Sequence, residues 1–498
     1  MKKIIIFISI VLAISSCSKD FLKEEPKAAI TTQTFYKTQN DLDMATLALY
    51  ANFAGVFDQV TAPVYGSDDI TVLRAGNKFM YSDFDVFSAN SSSPAYTNMW
   101  IYLYNTIKQS NALLANYSNA AVPEDSKNVV AGQAYFFRAI SYFYLTRLWG
   151  AVPLVETTVT DYTIKVSQPQ DIYTLIVSDL LKAETMVPDN YTGDRNKGGV
   201  NIPPTKGAVK ALLADVYLTM AGWPLKQTDK YALAAAKAKE VIDNKTTWNI
   251  DLLPNFADLW KKEGQYNKET VFGCYYNGRA AGAAWDFNGN MNGPESAQPV
   301  EEGGWDDGFA ELTFFKKFPA GPRKDATFQT DMLVDGKLIP WTECQSKHPY
   351  YHKFVDDYTY NPVTRWGDWW GDHTEPVIRY ADVLLVYAEA KAMSGGADQS
   401  AYAAINAVRN RAGLPNLKVA PSNTAFRDSV IVERGWEFAG LEPNCRWYDL
   451  IRTETVAKAN SFRDPAEEPL IGKPDDTQHT FYWAPIPIND TDLNSNLK

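Results

Sequence analysis

The stretch TKGAVKALLADVYLTMA, residues 205–221, is the clearest helical segment of this chain. Its apolar residues recur at the spacing of one helix face (i, i+3, i+4, i+7 and i+11), and they are Val209, Leu212, Leu213, Val216 and Met220. Two prolines precede the segment and Gly222 follows it, as is common at helix ends. The pattern predicts a helix that buries one apolar face.

Further helices are predicted on both sides of this segment. An alanine-rich partner is expected over residues 231–243, and a similar pair over residues 377–393 and 401–412. The remaining long helices are predicted at residues 41–53, 99–117 and 132–149. Helix pairs with alanine at close-packing positions are typical of tetratricopeptide hairpins, but no strict repeat period is visible. We therefore predict a mostly α fold built on degenerate tetratricopeptide-type helix pairs.

Residues 247–376 have a different composition from the helical parts. They are dense in Gly, Asn, Asp, Pro and aromatic residues and have little helical periodicity. Residues 271–276 are predicted as a short strand and the rest as long loops, with a second irregular stretch at residues 75–96. Compact domains seldom carry long irregular segments unless these have a function. We expect the ligand-binding residues to lie in these loops.

The N-terminus predicts export and a lipid anchor. Lys2 and Lys3 precede a short apolar run, and two serines stand before Cys17. The run is too short to span a bilayer, which takes roughly 20 helical residues. The segment resembles a bacterial lipoprotein signal in which Cys17 becomes the acylated N-terminus, and Lys19-Asp20 resembles a surface-export signal of Bacteroidetes lipoproteins. Ordinary secretion with a free thiol at this position is the alternative.

Composition excludes several classes of protein. The chain has 498 residues and a formal net charge of −11, so it lacks the basic surface that nucleic-acid binding needs. Only Cys274, Cys344 and Cys445 remain after Cys17, too few for a disulfide framework in so long a chain. No later stretch is long and apolar enough for a transmembrane helix.

No motif in the chain predicts an enzyme. A serine nucleophile elbow and a phosphate-binding loop are both missing from the sequence. Glu301-Glu302 and Asp306-Asp307 flank Trp305 and could in principle supply the carboxylate pair of a glycosidase. Solvated surface charge is the commoner role for such residues, and we predict a binding protein.

Metal binding is also not predicted. His348 and His352 have the spacing of two ligands on one helix face, but the intervening Pro349 favours a loop. Residues 286–297 begin like a calcium-binding loop, yet Met291 and Ala297 stand where that loop needs Gly and Glu. No cofactor is expected, and an irregular Ca²⁺ site in this segment is left open.

Six segments, in order, resemble the SusD/RagB family over nearly the whole chain. They are FRA at 137–139 with LWGAVPL at 148–154, PTKGAVKALLADVYL at 204–218, IRYADVLLVYAEA at 378–390, NAVRNRAGLP at 406–415, ERGWE at 433–437 with RWYDLIR at 446–452, and PIP at 485–487. Asp382 stands where the family usually has Glu, and residues 441–445 replace the commoner spacing of that segment. Each segment is weak evidence by itself, but the ordered set is specific.

The resemblance implies a lipid-anchored, surface-exposed binding protein of the outer membrane. Family members cap a SusC-like TonB-dependent transporter and deliver glycan, or in some cases peptide, into it. The expected parts are a signal peptide at 1–16, an N-terminal helical part at 17–246, a loop-rich ligand-binding region at 247–376 and a C-terminal helical part at 377–498. Residues 247–498 are expected to pack with the N-terminal part as one globular body.

Candidate glycan-binding residues combine aromatic rings with polar groups. Sugar rings pack on flat aromatic faces, while amides, carboxylates and arginine bond the hydroxyl groups. In the family, ligand lies on an arc from the early and central loops, and the candidates here are Arg74, Tyr81, Trp285, Asn288 and Trp305. A local loop core is the alternative for each Trp. By contrast, the tryptophans within helical motifs are predicted to be core: Trp100, Trp149, Trp436 and Trp447.

Two other functions stay open at this point. A peptide-binding uptake lipoprotein of the RagB type would need a deeper cleft with strand edges that can pair with backbone. A tetratricopeptide-type scaffold for another protein would place exposed apolar residues on its helices. Capture of an oligosaccharide for a SusC-like transporter is the leading hypothesis.

Overall fold

The computed structural model describes residues 34–57, 62–93, 97–261, 264–276, 304–334, 337–354, 374–444 and 446–498. The described residues are mostly helical, which confirms the predicted fold class. The helices are α1 (Gln39–Ala54), α2 (Phe79–Asp85), α3 (Thr97–Asn116), α4 (Glu124–Trp149), α5 (Pro169–Met186), α6 (Lys206–Ala221), α7 (Lys230–Asp243), α8 (Leu312–Lys317), α9 (Pro322–Thr327), α10 (Tyr380–Gly395), α11 (Gln399–Arg411), α12 (Asn423–Glu437), α13 (Arg446–Arg452), α14 (Val456–Asn460) and α15 (Ile488–Leu493). Among the described residues, no helix is long and apolar enough to cross a membrane.

The strands are short and pair two by two into antiparallel sheets. They are β1 (Ile70–Thr71), β2 (Val152–Pro153), β3 (Val166–Ser167), β4 (Asn196–Lys197), β5 (Val200–Asn201), β6 (Thr270–Tyr275), β7 (Phe309–Ala310), β8 (Phe328–Gln329), β9 (Asp331–Val334), β10 (Lys337–Pro340), β11 (Tyr350–Tyr351) and β12 (Thr374–Arg379). The pairs are β1–β7, β2–β3, β4–β5, β6–β12, β8–β11 and β9–β10.

The long helices form one continuous array. Helices α3 to α7 each pack on the next along the chain, and α1 packs on α3 and α4. Helix α7 then packs on α10, which also contacts α6, α11 and α12. The long segment between α7 and α10 is therefore an insertion between two helices that touch each other. This insertion explains why the sequence shows helix pairs but no regular repeat period.

Helix α6 is more deeply buried than its sequence predicts. Thr205 caps it through a hydrogen bond from the Ala208 N–H, and Gly222 ends it, close to the predicted bounds. All its residues are buried except Lys206 and Lys210, so the expectation of a single buried face is wrong. The helix lies between α5, α7 and α10, which cover it from several directions.

The predicted helix over residues 377–393 begins later than expected. Residues Thr374–Arg379 form strand β12, and helix α10 starts only at Tyr380. Pro376 and the β-branched Val377 and Ile378 favour an extended backbone. Strand β12 pairs with β6, which lies within one residue of the predicted strand 271–276. The loop-rich region also contains the short helices α8 and α9, and residues 75–96 contain α2, none of which was predicted.

Three of the four tryptophans of the helical motifs lie in the core, as predicted, and the fourth packs against it. Trp100, Trp149 and Trp447 are buried, and Trp436 is half-buried against the same core. Trp100 and Trp149 make an edge-to-face contact with ring centroids 5.2 Å apart. Such contacts stabilise the packing beyond the area that the rings bury.

Three charged residues of the sequence motifs, Arg379, Arg411 and Glu437, meet Arg323 and Glu269 in the protein interior. These five residues are called the Glu437 cluster. Arg379 is 1% exposed, and its guanidinium is 2.7 Å from Glu437 and 2.9 Å from Glu269. Arg411 bonds the same two glutamates, and Arg323 lies 2.9 Å from Glu437. The cluster ties β12, α11, α9 and α12 to the residue that precedes β6.

A second set of buried charges joins α10, α12 and α13. Arg434 donates to Asp449 at 2.7 Å and also to Asp382. Arg452 donates to Asp449 at 2.8 Å and to Glu389 at 2.5 and 2.7 Å. Burial by itself would raise the pKa of Asp449, but Arg434 and Arg452 hold it below its usual range. The shorter Asp382, found where the family usually has Glu, still reaches Arg434.

The ionised state of Glu437 is strongly favoured in the folded protein. Burial acts to raise its pKa, but Arg411, Arg379 and Arg323 lower it well below the usual range. A carboxyl with a lowered folded pKa stabilises the fold above its unfolded pKa of about 4.3. This stabilisation is lost as the pH falls through the pKa that Glu437 has in the folded protein.

We predict that Glu437→Gln lowers the free energy of unfolding by about 3–5 kcal/mol at neutral pH, because it leaves buried arginines without their partner charge. Urea unfolding of the variant and the parent measures the difference, which should shrink as the solution is acidified. Glu124→Gln makes the same chemical change at an exposed glutamate, 3.8 Å from Lys127, and should lower the free energy of unfolding by less than about 1 kcal/mol. Equal effects of the two variants would contradict the role of the Glu437 cluster.

Candidate functional site

Two loop segments that are far apart in sequence meet at the predicted site. The early loop, residues 68–93, contains β1, and the central segment, residues 304–311, contains β7. These strands pair antiparallel, with Ile70 opposite Ala310 and Thr71 opposite Phe309. The Glu311 N–H continues the contact by donating to the Asp69 carbonyl at 3.1 Å. Backbone pairing therefore fixes the two loops relative to each other.

Lys78 makes a second connection between these loops. Its ammonium group donates to the Trp305 carbonyl and to the Asp307 carboxylate, and its side chain is buried. The Tyr65 hydroxyl donates to the Asp307 carbonyl at 2.6 Å. Because a buried charge requires a partner, the Lys78–Asp307 pair holds the backbone next to Trp305 in one position.

Asp69 connects the early loop to the C-terminal helical part. Its carboxylate accepts from the Gly440 N–H at 2.7 Å and from the Ser67 hydroxyl at 2.5 Å. Burial raises the pKa of Asp69 to about 6, although the Ser67 hydrogen bond opposes the shift. The early loop is thus held by the core on one side and by the central segment on the other.

Arg74 lies at the partly exposed edge of the early loop. Its guanidinium is 3.3 Å from Asp83, donates to the Ser88 hydroxyl at 3.2 Å and lies over the Phe79 ring at 5.4 Å. The Arg74 side chain is 28% exposed, and Phe79 is 46% exposed. A positioned guanidinium beside an exposed ring has the chemistry that the sugar-binding prediction requires.

Trp305 is half-buried and packs against the main core. Its backbone is held by Lys78, which precedes Phe79 in the early loop. The structure therefore brings Trp305 close to the loop that carries Arg74, and both stay predicted binding residues. Trp285 and Asn288, like Cys17, lie outside the described residues.

The prediction that Tyr81 offers an open ring face does not fit its position. Tyr81 is only 7% exposed and stacks on Tyr65, with ring centroids 5.4 Å apart and an angle of 23° between the planes. Burial, followed by the nearby Asp307, raises the pKa of its hydroxyl above the usual range. Tyr81 belongs to the internal packing of the early loop, because helix α2 turns this ring inward.

The acidic pair near Trp305 has a structural role. Asp307 is held by Lys78, and Asp306 accepts a hydrogen bond from the Tyr350 hydroxyl at 2.5 Å. Both carboxylates are buried. Glu301 and Glu302, which flank Trp305 on its other side in the sequence and would complete a glycosidase carboxylate pair, lie outside the described residues.

His348 joins the loop-rich region to the C-terminal part and does not lie on a helix face with His352. Its Nε2 is 3.0 Å from both Glu467 oxygens, and its Nδ1 is 2.5 Å from the Ser346 carbonyl. Both ring nitrogens therefore face acceptors, which favours the doubly protonated ring. Within the described ranges, no group of three or more potential metal-ligating side chains occurs. The calcium-like segment 286–297 lies outside them.

Lys78 and Phe79, which both belong to the site, were not predicted from the sequence. The partner of Lys78 is far away along the chain, so no local pattern could have identified their pairing. Phe79 could have been found, since it follows Arg74 within a loop already chosen for its aromatic and polar composition. The exposure of its ring depends on the course of α2.

Comparison with known families agrees with this architecture. A family model described as "SusD family" matches residues 341–498, and one described as "Starch-binding associating with outer membrane" matches residues 20–218. Together these matches cover more than half of the chain. The chain belongs to the SusD-like family.

Relatives of this SusD-like chain match it along its whole length. It is 27% identical to SusD-like protein P2 of Formosa agariphila, with 100% of this chain and 99% of the relative covered. A SusD homolog from Bacteroides thetaiotaomicron has a TM-score of 0.78 at 23% identity, covering 95% of this chain and 98% of that one. A laminarin-binding SusD-like protein has a TM-score of 0.73 at 24% identity, covering 92% and 98%. These structures establish the fold.

We predict that His348 stabilises the fold most at acidic pH. Burial acts to lower its pKa, but Glu467 and the Ser346 carbonyl raise it above the usual value. The stabilisation is therefore complete below the unfolded pKa of about 6.5 and is lost as the pH rises through the folded value. Urea unfolding between about pH 5.5 and 8.5 measures the free energy of unfolding of the parent and of His348→Gln. The difference between them should shrink as the pH rises.

His352 provides the matched control, because it is exposed. His352→Gln should leave the pH profile of the parent unchanged. A His348→Gln variant whose profile runs parallel to that of the parent would contradict a charged His348–Glu467 pair.

Proposed function

We propose that this protein is a cell-surface lipoprotein that captures oligosaccharide and delivers it to a SusC-like TonB-dependent outer-membrane transporter. The junction of the early loop and the central segment is the observation that carries the proposal. It places a positioned Arg74, the exposed Phe79 ring and Trp305 on two loops locked together by Lys78.

The chemistry of these groups suits a glycan. Aromatic rings provide flat apolar faces at small cost in side-chain entropy, and a guanidinium orients hydroxyl groups through several donors. A laminarin-binding protein with the same fold supports carbohydrate as the ligand class. Because the loops are held by buried pairs, the site is formed before ligand arrives and loses little entropy on binding.

Anchoring and delivery follow from the N-terminus and the family. Acylation of Cys17 would hold the protein on the membrane without a spanning helix, since several acyl chains together give stable anchoring. One matching family is described as associating with the outer membrane. A TonB-dependent barrel encoded in the neighbouring gene would support the proposed transporter partnership.

We predict that Trp305→Ala and Trp285→Ala each weaken glycan binding by about tenfold or more, because each removes a stacking face. The parent, purified in detergent, is first titrated against a panel of polysaccharides and peptides by calorimetry. The variants are then titrated with the ligand that binds.

Trp223→Ala serves as the control, because this half-buried Trp packs on His479 and Trp483 and belongs to neither loop. It should bind like the parent, and thermal unfolding checks that every variant is folded. Binding of peptides alone, or glycan binding unaffected by Trp305→Ala and Trp285→Ala, would contradict the proposed site.

We further predict that Cys17→Ser abolishes labelling by palmitate and releases the protein from the membrane fraction, because the acylated thiol is lost. Cys344→Ser changes a thiol of the folded body and should stay with the membranes. If Cys17→Ser remained membrane-bound and labelled, the lipoprotein assignment would be wrong.

A further inference from the structure

A second pocket lies between helix α12, helix α8 and the segment that follows α14. Its volume is about 220 Å³, and all the residues that line it belong to the described part of the chain. Arg74, Tyr81 and Trp305 are not among these lining residues. The pocket adjoins the junction of the two loops, because Asp68 and Glu311 line it, but the candidate binding residues lie outside it.

One wall of this pocket is aromatic and apolar. Trp436 on α12 is half-buried in the wall, and Phe462 and Val432 beside it are 57% and 44% exposed. Trp436 also contacts Phe318, with ring centroids 6.4 Å apart. A fixed Trp next to an exposed Phe forms a surface on which a flat apolar face can pack.

The lining of this pocket also includes a fixed pair of hydrogen-bonding groups. Arg446 donates two hydrogen bonds to the Asp68 carboxylate, and the one from Nη2 to Oδ2 is 2.8 Å long. A carboxylate has about four acceptor positions, and this pair leaves part of that capacity for a ligand hydroxyl. Both residues line the pocket together with the residues of the aromatic wall.

Lys317 adds a cationic donor. Its ammonium lies 4.7 Å from the centre of the Phe462 ring, and within the described ranges no acid lies in ion-pair distance of it. The preceding Lys316, in contrast, pairs with Asp464 at 2.6 Å. Lys317 can therefore turn toward a ligand without breaking an ion pair.

We propose that this pocket binds a single pyranose unit, as a second carbohydrate site next to the one at the loop junction. The volume is below the roughly 300–1,000 Å³ of pockets that enclose drug-sized ligands, which limits the occupant to about one ring. The ring stacks between Trp436 and Phe462, its hydroxyl groups bond the Asp68–Arg446 pair, and Lys317 contacts a substituent. This inference rests on the proposed glycan-binding function.

Fluorine NMR of the detergent-purified protein labelled with fluorotryptophan tests the proposal. Trp436→Phe and Trp305→Phe identify the two signals, and the probes are laminari-oligosaccharides, xylogluco-oligosaccharides and oligogalacturonides. We expect one probe to shift the Trp436 signal saturably, in the parent and equally in Trp305→Ala. Phe462→Ala should raise the midpoint of this titration by about tenfold. The control Phe481→Ala, at an exposed Phe outside the pocket, should leave it unchanged.

The two proposals fail in distinguishable ways. A Trp305 signal that responds while the Trp436 signal stays still with every probe would overturn the second site and keep the first. Signals that both stay still would overturn both. A Trp436 shift that disappears in Trp305→Ala, or that Phe462→Ala leaves unaltered, would show an indirect effect and also overturn the second site.

Discussion

The requirement that buried charge be neutralised shapes the C-terminal half of this protein. Arg379 and Glu437 lie in the interior, and each needs its partners from other elements before it can be removed from water. The partners come from α9, α11, α12 and the residue before β6, so the ion pairs can form only when these elements are all in place. Aliphatic packing tolerates small shifts of a helix. A guanidinium that donates to two glutamates does not tolerate such shifts, because its hydrogen bonds need a fixed geometry.

The same constraint explains why short sequence motifs identified the family while the binding loops did not. Arg379, Arg411, Glu437 and Arg434 are among the charged residues of the motifs, and each makes fixed ion pairs in the core. The helices could also be found, because their apolar spacing is a local property of the sequence. Their boundaries were less certain, as at β12, where strand pairing with β6 extends to residues predicted to be helical.

The binding site was harder to predict because its geometry depends on contacts between distant residues. The chemistry of Arg74 and Trp305 predicts that they bind a sugar. The position of Trp305 relative to the early loop, however, depends on β1 pairing with β7 and on the bond from Lys78 to Asp307. Tyr81 has the same chemistry as a binding residue, but the turn of α2 points it at Tyr65. Composition shows which residues can bind a sugar, whereas exposure is decided by the tertiary structure.

The contact between α7 and α10 has a consequence for how the binding loops can change. The ends of the inserted segment are fixed by two helices that pack together, so the segment behaves as a closed loop. The entropy of closing a loop grows only with the logarithm of its length, by about 0.6 kcal/mol for each doubling. Insertions and deletions in the parts of this segment that carry no buried ion pair and no paired strand therefore change the free energy of unfolding very little. The length of these loops, and with it the ligand that they bind, can therefore change during evolution while the helical array stays the same.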